Sequence, residues 1–232
     1  MITLERLYKW EIISKKKIAG LIDHTLLRLE STDEDHFKIC KEAKTYGFRT
    51  VCVYPDFVDI CVQELDHTST EVCTVIDFPK GQGDIERNLD DLKMVIDQGA
   101  MEIDMVMNIN AFQSKEYEEV ANGIYSVVEA AEGRIVKVIL ETCFWDNDQI
   151  EIACEIVKDA KAQFVKTSTG FSKHGADISH VKILRKIVGD VFGVKASGGI
   201  QSFDDLLRMI QAGANRIGTS SGTKIIKEIN AD

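Results

Sequence analysis

Short apolar runs alternate along the chain with longer amphipathic stretches. The runs lie near 20–25, 49–54, 71–76, 101–107, 134–141, 163–168, 191–196 and 214–218. Between them, segments rich in Glu, Lys, Asp and Ala cover roughly 33–46, 55–66, 84–98, 114–131, 147–160, 177–188, 202–211 and a last one from 221. Short β-branched runs read as strands, and stretches with helical spacing of apolar residues read as helices. Strictly alternating strands and helices predict an α/β chain folded as a parallel (β/α)8 TIM barrel.

A weak internal repeat supports that reading. Tyr46-Gly47-Phe48-Arg49-Thr50-Val51, Gln98-Gly99-Ala100-Met101-Glu102-Ile103 and Ala212-Gly213-Ala214-Asn215-Arg216-Ile217 each place a glycine just past a helix end and lead into a strand. That is what a left-handed helix C-cap requires. Ala160-Lys161-Ala162-Gln163-Phe164-Val165 is a fourth copy with Lys161 in the glycine place; a left-handed lysine there costs about 1 kcal/mol. The segment before the first strand carries Leu4, Leu7, Tyr8, Ile12 and Ile13 at roughly helical spacing, so residues 1–19 read as an amphipathic capping helix. With no linker or low-complexity tract, residues 1–232 read as one barrel domain, within the range of about 200–250 residues common for α/β barrels.

Net charge is −10 and the pI is about 5.1. The chain has no electrostatic footprint for nucleic acid, and an acidic membrane surface would repel it. A small anionic substrate stays open, because it needs only local positive groups. No apolar run approaches the roughly 20 residues of a membrane span. The six cysteines (Cys40, Cys52, Cys61, Cys73, Cys143, Cys154) form no CxxC pair. Without a secretory signal they read as reduced thiols of a cytoplasmic protein.

Strand side chains alternate, which sorts them into barrel-facing and helix-facing sets. In the fourth strand Ile103, Met105 and Met107 face the helices and Glu102, Asp104 and Val106 face inward. In the fifth, Ile135, Lys137, Ile139 and Glu141 face inward. Phe164 and Lys166 do so in the sixth, Gly193, Lys195 and Ser197 in the seventh, Cys52 in the second and Asp23 in the first. The interior is thus expected to hold Asp23, Asp104, Lys137, Glu141, Lys166 and Lys195. Lys166 and Lys195 stand 29 positions apart, about one βα unit, so they fall on neighbouring strands. An ordinary lysine, with a pKa of about 10.4, is neutral in roughly one part in a thousand near pH 7. Desolvation and a second positive charge offset that, as an amine nucleophile needs. A closed ion-pair network is the structural alternative.

Gly198-Gly199 follows the seventh strand, and Gly218-Thr219-Ser220-Ser221-Gly222 follows the eighth and opens the last helix. Loops at these two places commonly hold phosphate in barrels; a plain turn and N-cap is the alternative. Taken alone, Cys52 reads as a small core residue, Cys143 as packing and Lys173 as solvated. His24 and His174 have no metal-ligand pattern, and Asp23-His24 is only a weak one.

These residues lie in segments that resemble deoxyribose-phosphate aldolase, a class I aldolase on a TIM barrel. The resemblance runs from Leu21 to about Lys224. It is carried by Leu21-Ile22-Asp23-His24-Thr25-Leu26, Val51-Cys52-Val53-Tyr54-Pro55, Glu102-Ile103-Asp104-Met105-Val106, Lys137-Val138-Ile139-Leu140-Glu141-Thr142, Phe164-Val165-Lys166-Thr167-Ser168-Thr169-Gly170-Phe171, Val194-Lys195-Ala196-Ser197-Gly198-Gly199-Ile200 and Arg216-Ile217-Gly218-Thr219-Ser220-Ser221. It implies that Lys166 forms the Schiff base, Lys195 perturbs and relays, and Asp104 takes part in proton transfer. It also implies substrate contacts at Asp23, Thr25, Cys52, Lys137 and Thr167, and phosphate contacts at Gly170, Gly198, Gly199, Gly218, Ser220 and Ser221. No metal or other cofactor is implied. The expected partners are a phosphosugar substrate and other copies of the chain in a homo-oligomer.

The chain departs from the resemblance at three places. Gln201 stands where a basic residue is common, Gly170-Phe171-Ser172-Lys173-His174-Gly175 replaces a more glycine-rich loop, and Asp77 stands where Gly or Asn is common. The implied reaction is reversible cleavage of 2-deoxy-D-ribose 5-phosphate to D-glyceraldehyde 3-phosphate and acetaldehyde. Another Schiff-base phosphosugar lyase, or a catalytically silent sugar-phosphate-binding paralogue, are the alternatives.

Overall fold

The computed structural model describes residues 15–229. Eight parallel strands close into a barrel in sequence order: β1 (Ile22–Leu26), β2 (Thr50–Val53), β3 (Glu71–Ile76), β4 (Glu102–Val106), β5 (Ile135–Ile139), β6 (Phe164–Lys166), β7 (Gly193–Ser197) and β8 (Arg216–Thr219). The helices are α1 (Lys15–Ala19), α2 (Asp33–Tyr46), α3 (Val58–Glu64), α4 (Ile85–Asp97), α5 (Ile109–Gln113), α6 (Tyr117–Ala130), α7 (Asn147–Asp159), α8 (Ile178–Val188), α9 (Phe203–Ala212) and α10 (Gly222–Glu228). All eight expected strands are present. The expected helix over 55–66 begins as a 3-10 turn at Pro55–Phe57, and α5 is a short helix in the gap between the expected strand over 101–107 and the expected helix over 114–131. Of the expected capping helix, Lys15–Ala19 is helical; Leu4, Leu7, Tyr8, Ile12 and Ile13 lie outside the described residues.

The main apolar core lies between strands and helices rather than inside the barrel. Val51, Val53, Ile103, Met105, Val136, Val138, Val165, Val194, Ala196 and Ile217 belong to it and are buried. These are the outward positions of their strands, so the opposite faces are left to the barrel interior. The helix ends follow their sequence signals. Gly47 is left-handed (φ 71°) and its N–H donates to the Ala43 carbonyl at 2.8 Å, while Thr32, Asp146 and Ser202 form capping boxes at the starts of α2, α7 and α9. Lys161 does take the left-handed conformation expected of the fourth repeat, with φ 63°. Asp77 is also left-handed (φ 51°). Its carboxylate accepts from the amides of Gln82 and Gly83, each at 2.7 Å, so the acid stabilises the loop that its backbone turns.

The floor of the barrel is tightly filled. Gly193 faces Phe164 in register across β6 and β7, and a Cβ on Gly193 would lie 2.2 Å from the Phe164 ring. That ring also lies under the Arg216 guanidinium, 5.1 Å from centroid to Cζ. Gly193→Ala is therefore expected to destabilise the protein by about 1–3 kcal/mol through overpacking, lowering Tm by several degrees. An unchanged Tm in a thermal melt would show that the ring is free to move aside.

Candidate active site

The barrel interior holds three carboxylates and four cations, all buried: Asp23, Glu102, Asp104, Lys137, Lys166, Lys195 and Arg216. Six of them form a closed ring of alternating charge. Asp104 Oδ2 accepts from Lys195 Nζ at 2.7 Å, Lys195 lies 2.5 Å from Asp23 Oδ2, and Asp23 Oδ1 accepts from Arg216 at 2.8 Å. Arg216 donates to Glu102 at 2.7 Å, Glu102 lies 2.6 Å from Lys137 Nζ, and Lys137 donates to Asp104 Oδ1 at 2.9 Å. Lys166 stands outside this ring as a single branch, donating to Asp104 Oδ2 at 2.7 Å. It is in register with Lys195 across β6 and β7, as its strand position predicts.

The electrostatics follow from the ring. Burial pushes the Asp104 carboxyl up, but the ammonium groups of Lys137, Lys166 and Lys195 outweigh it and hold it well below the ordinary carboxylate range. Asp23 is likewise pushed up by burial and held down more strongly by Lys195, Lys137 and Arg216. Burial pushes the Lys195 ammonium down, yet Asp104 and Asp23 together raise it above an ordinary lysine. Lys195 is thus a fixed positive charge. Three carboxylates match Lys137, Lys195 and Arg216, so Lys166 is the one interior cation in excess.

Above the ring, a cavity of about 540 Å³ opens at the C-terminal ends of the strands. Of the three interior lysines, only Lys166 lines it. Thr25, Gly170, Gly198, Gly199, Gly218 and Ser220 also line it, whereas Ser221 does not and its amide is taken by the Thr219 hydroxyl at 2.9 Å. Among the expected substrate contacts, Asp23 and Lys137 lie within the ring, and Thr167 joins β6 to β7 by accepting from the Ser197 amide at 3.1 Å. Cys52 is buried, in register with Cys73. Contact with Cys73 pulls the Cys52 thiol down against the effect of burial, while burial pushes Cys73 well up.

One interior assignment is corrected. β5 ends at Ile139, and Glu141 is left-handed (φ 51°), so strand alternation no longer governs it. Its carboxylate accepts from the Thr169 amide at 3.2 Å and the Thr169 hydroxyl at 2.5 Å, tying the loop after β6 rather than joining the ring. Sequence reasoning missed Arg216 as a ring member and left Glu102 out of the interior charge set. Alternation around the outward Ile217 places Arg216 inward. Phe171 was also missed; it lines the cavity and meets Phe78 edge-on at 5.4 Å, and Phe78 in turn meets Tyr54 at 6.0 Å.

The model of the DeoC/LacD family aldolases matches residues 17–228. The chain belongs to this family. It is 50% identical over 218 residues to a deoxyribose-phosphate aldolase of Caldanaerobacter subterraneus subsp. tengcongensis, covering 93% of this chain and 94% of that one. A deoxyribose-phosphate aldolase of Clostridium tetani is 47% identical over 213 residues, covering 91% and 99%. The solved structure of the deoxyribose phosphate aldolase from Aeropyrum pernix, described as a unique tetramer, superposes with a TM-score of 0.88 at 34% identity, covering 95% of this chain and 94% of that one.

The ring has a pH signature. Carboxylates held below their ordinary pKa contribute stability that is complete above about pH 4–5 and is lost as pH falls through the depressed values; a raised lysine contributes stability that is lost only above about pH 10. Asp23→Asn is expected to cost about 3–5 kcal/mol at pH 7, because it leaves Lys195 and Arg216 short of a buried partner. The gap between variant and parent should shrink as pH falls below about 4. Denaturant melts giving the same gap at pH 7 and pH 3 would contradict this account.

Proposed function

We propose that the protein cleaves 2-deoxy-D-ribose 5-phosphate reversibly to D-glyceraldehyde 3-phosphate and acetaldehyde through a Schiff base on Lys166. The observation that carries this reading is the position of Lys166. It is the interior amine that reaches the cavity, and the one whose charge the three carboxylates do not require. Neutral Lys166 attacks the C1 aldehyde, and loss of water gives an iminium. A base takes the C3 hydroxyl proton, the C2–C3 bond breaks, and its electron pair moves to the iminium, leaving an enamine and releasing glyceraldehyde 3-phosphate. Protonation of the enamine at C2 and hydrolysis then free acetaldehyde and the amine.

The ring suits these steps. The iminium carries the same single positive charge as the ammonium that already donates to Asp104, so the covalent intermediate adds no charge to the interior. Asp104, held ionised, and Lys195, held protonated, are assigned to proton transfer and relay around Lys166. The 5-phosphate is assigned to the cavity rim at Gly170, Gly198, Gly199, Gly218 and Ser220. Gly175 and Gly198 approach so closely that a Cβ on Gly175 would lie 2.2 Å from the Gly198 oxygen, which packs the loops after β6 and β7 together at that rim. We also read residues 1–232 as a single domain and the protein as a cytoplasmic homo-oligomer. The tetrameric Aeropyrum pernix relative supports the oligomer. No described helix is long and apolar enough to cross a membrane.

Borohydride reduction in the presence of 2-deoxyribose 5-phosphate, followed by peptide mass spectrometry, is expected to place an acetaldehyde-derived adduct on Lys166. Lys166→Arg should give none. An adduct on Lys195 or Lys137 would overturn the assignment, and no adduct in an active enzyme would overturn the mechanism.

Lys195→Leu opens the ring and leaves Asp104 and Asp23 short of a cation, with Lys166 the nearest amine bonded to Asp104. Activity at pH 7 is expected to fall by about 100-fold or more, in the range of a lost general acid–base group, with partial recovery at higher pH. A pH–rate profile of unchanged shape would show that the two lysines do not communicate through charge.

A further inference from the structure

The cavity rim assigned to the phosphate has glycines and a serine but little positive charge. Gln201 lines it and is uncharged. Apart from Lys166, which the chemistry occupies, the one cationic side chain lining the cavity among the described residues is Arg28, from the loop between β1 and α2. We propose that Arg28 is the cationic partner of the substrate phosphate; this rests on the placement of the phosphate given above.

Arg28 is exposed, and only its Nη2 is engaged, donating to Asp35 Oδ2 at 2.8 Å. Its remaining donors are available, and a planar guanidinium can keep one partner while it offers a second edge to phosphate oxygens. Asp35 does not depend on it. The same oxygen already accepts from the Thr32 amide at 2.9 Å and the Thr32 hydroxyl at 3.0 Å, as part of the capping box that starts α2. Arg28 can therefore turn to the cavity without leaving a carboxylate stranded. The need for it is local. Glu30 lines the same rim, and with Asp35 nearby the mouth would repel a phosphate dianion if no cation offset them. The chain as a whole is at −10, so its long-range field gives no help.

The test compares kcat/KM on 2-deoxyribose 5-phosphate and on unphosphorylated 2-deoxyribose, with inorganic phosphate as a competitive inhibitor. For Arg28→Gln the phosphorylated-to-unphosphorylated ratio is expected to fall about tenfold, mainly through KM, the low end for a charge-assisted hydrogen bond at a solvent-facing rim. The inhibition constant for inorganic phosphate should rise in parallel, and Arg28→Lys should restore most of both. Asp35→Asn keeps the cation and an amide oxygen for the capping box while weakening the ion pair with Arg28, so its ratio should stay within about twofold of the parent or increase. A ratio that falls as far in Asp35→Asn as in Arg28→Gln would assign the effect to loop order and overturn the proposal. Ser220→Ala separates the two layers of the argument. If it lowers the ratio and Arg28→Gln does not, the phosphate lies where it is assigned and Arg28 is not its partner. If neither lowers the ratio, the phosphate placement and the role of Arg28 fall together.

Discussion

Asp104 accepts hydrogen bonds from three buried ammonium groups, and the rest of the interior is arranged around that one carboxylate. An isolated charge in such a place would cost several kcal/mol and would shed or gain a proton instead. The ring through Lys195, Asp23, Arg216, Glu102 and Lys137 removes that cost by giving each charge opposite neighbours on both sides. It also holds the protonation states: carboxylates stay ionised and Lys195 stays charged across the physiological range. Lys166 is left as the surplus cation, bonded to Asp104 but not a member of the ring. Breaking such a network is expensive even though building it gains little net stability. Its value here is the fixed electrostatic environment it makes around one amine.

A closed barrel is well suited to this arrangement. Neighbouring strands bring Lys166 beside Lys195, and Asp104 beside Lys137, through backbone register alone. The side chains point to one axis from opposite walls, so charges from β1, β4, β5, β6, β7 and β8 meet over a few ångströms. Glycine makes the room. A Cβ on Gly218 would lie 3.0 Å from both Lys195 Cε and Ser197 Cβ, so part of that glycine's function is to give the Lys195 side chain its course.

Strands and loops divide the work. The strands hold the ionised groups, while much of the cavity wall above is built from loop residues: Leu27 to Glu30, Thr169 to Phe171, Gly198 to Gln201 and Ser220. Changes in those loops alter what enters without disturbing the ring, as barrels allow generally. Of the three departures of this chain from its family resemblance, the 170–175 loop and Gln201 reach that outer layer, whereas Asp77 lies in the loop after β3, outside the lining of this cavity. Asp77 is accommodated by a turn that its own carboxylate caps.

Much of this was legible in the linear sequence, because it rests on local rules. Strand and helix alternation, the glycine C-caps and the left-handed Lys161 depend on residues a few positions apart. The inward set on β4, β6 and β7 depends only on a period of two. That rule stopped where the strand stopped: Glu141, two residues past β5, turned out of the interior on a left-handed backbone. The sequence alone could say that several charges share one interior. Which carboxylate bonds which amine is set by strand tilt and stagger around the barrel, and these exist only when it closes. So the ring itself, the membership of Arg216 in it, the position of Lys166 outside it and the meeting of Arg28 with Gln201 at one cavity were decided by tertiary structure: each joins residues remote in the chain, through distances that no local pattern encodes.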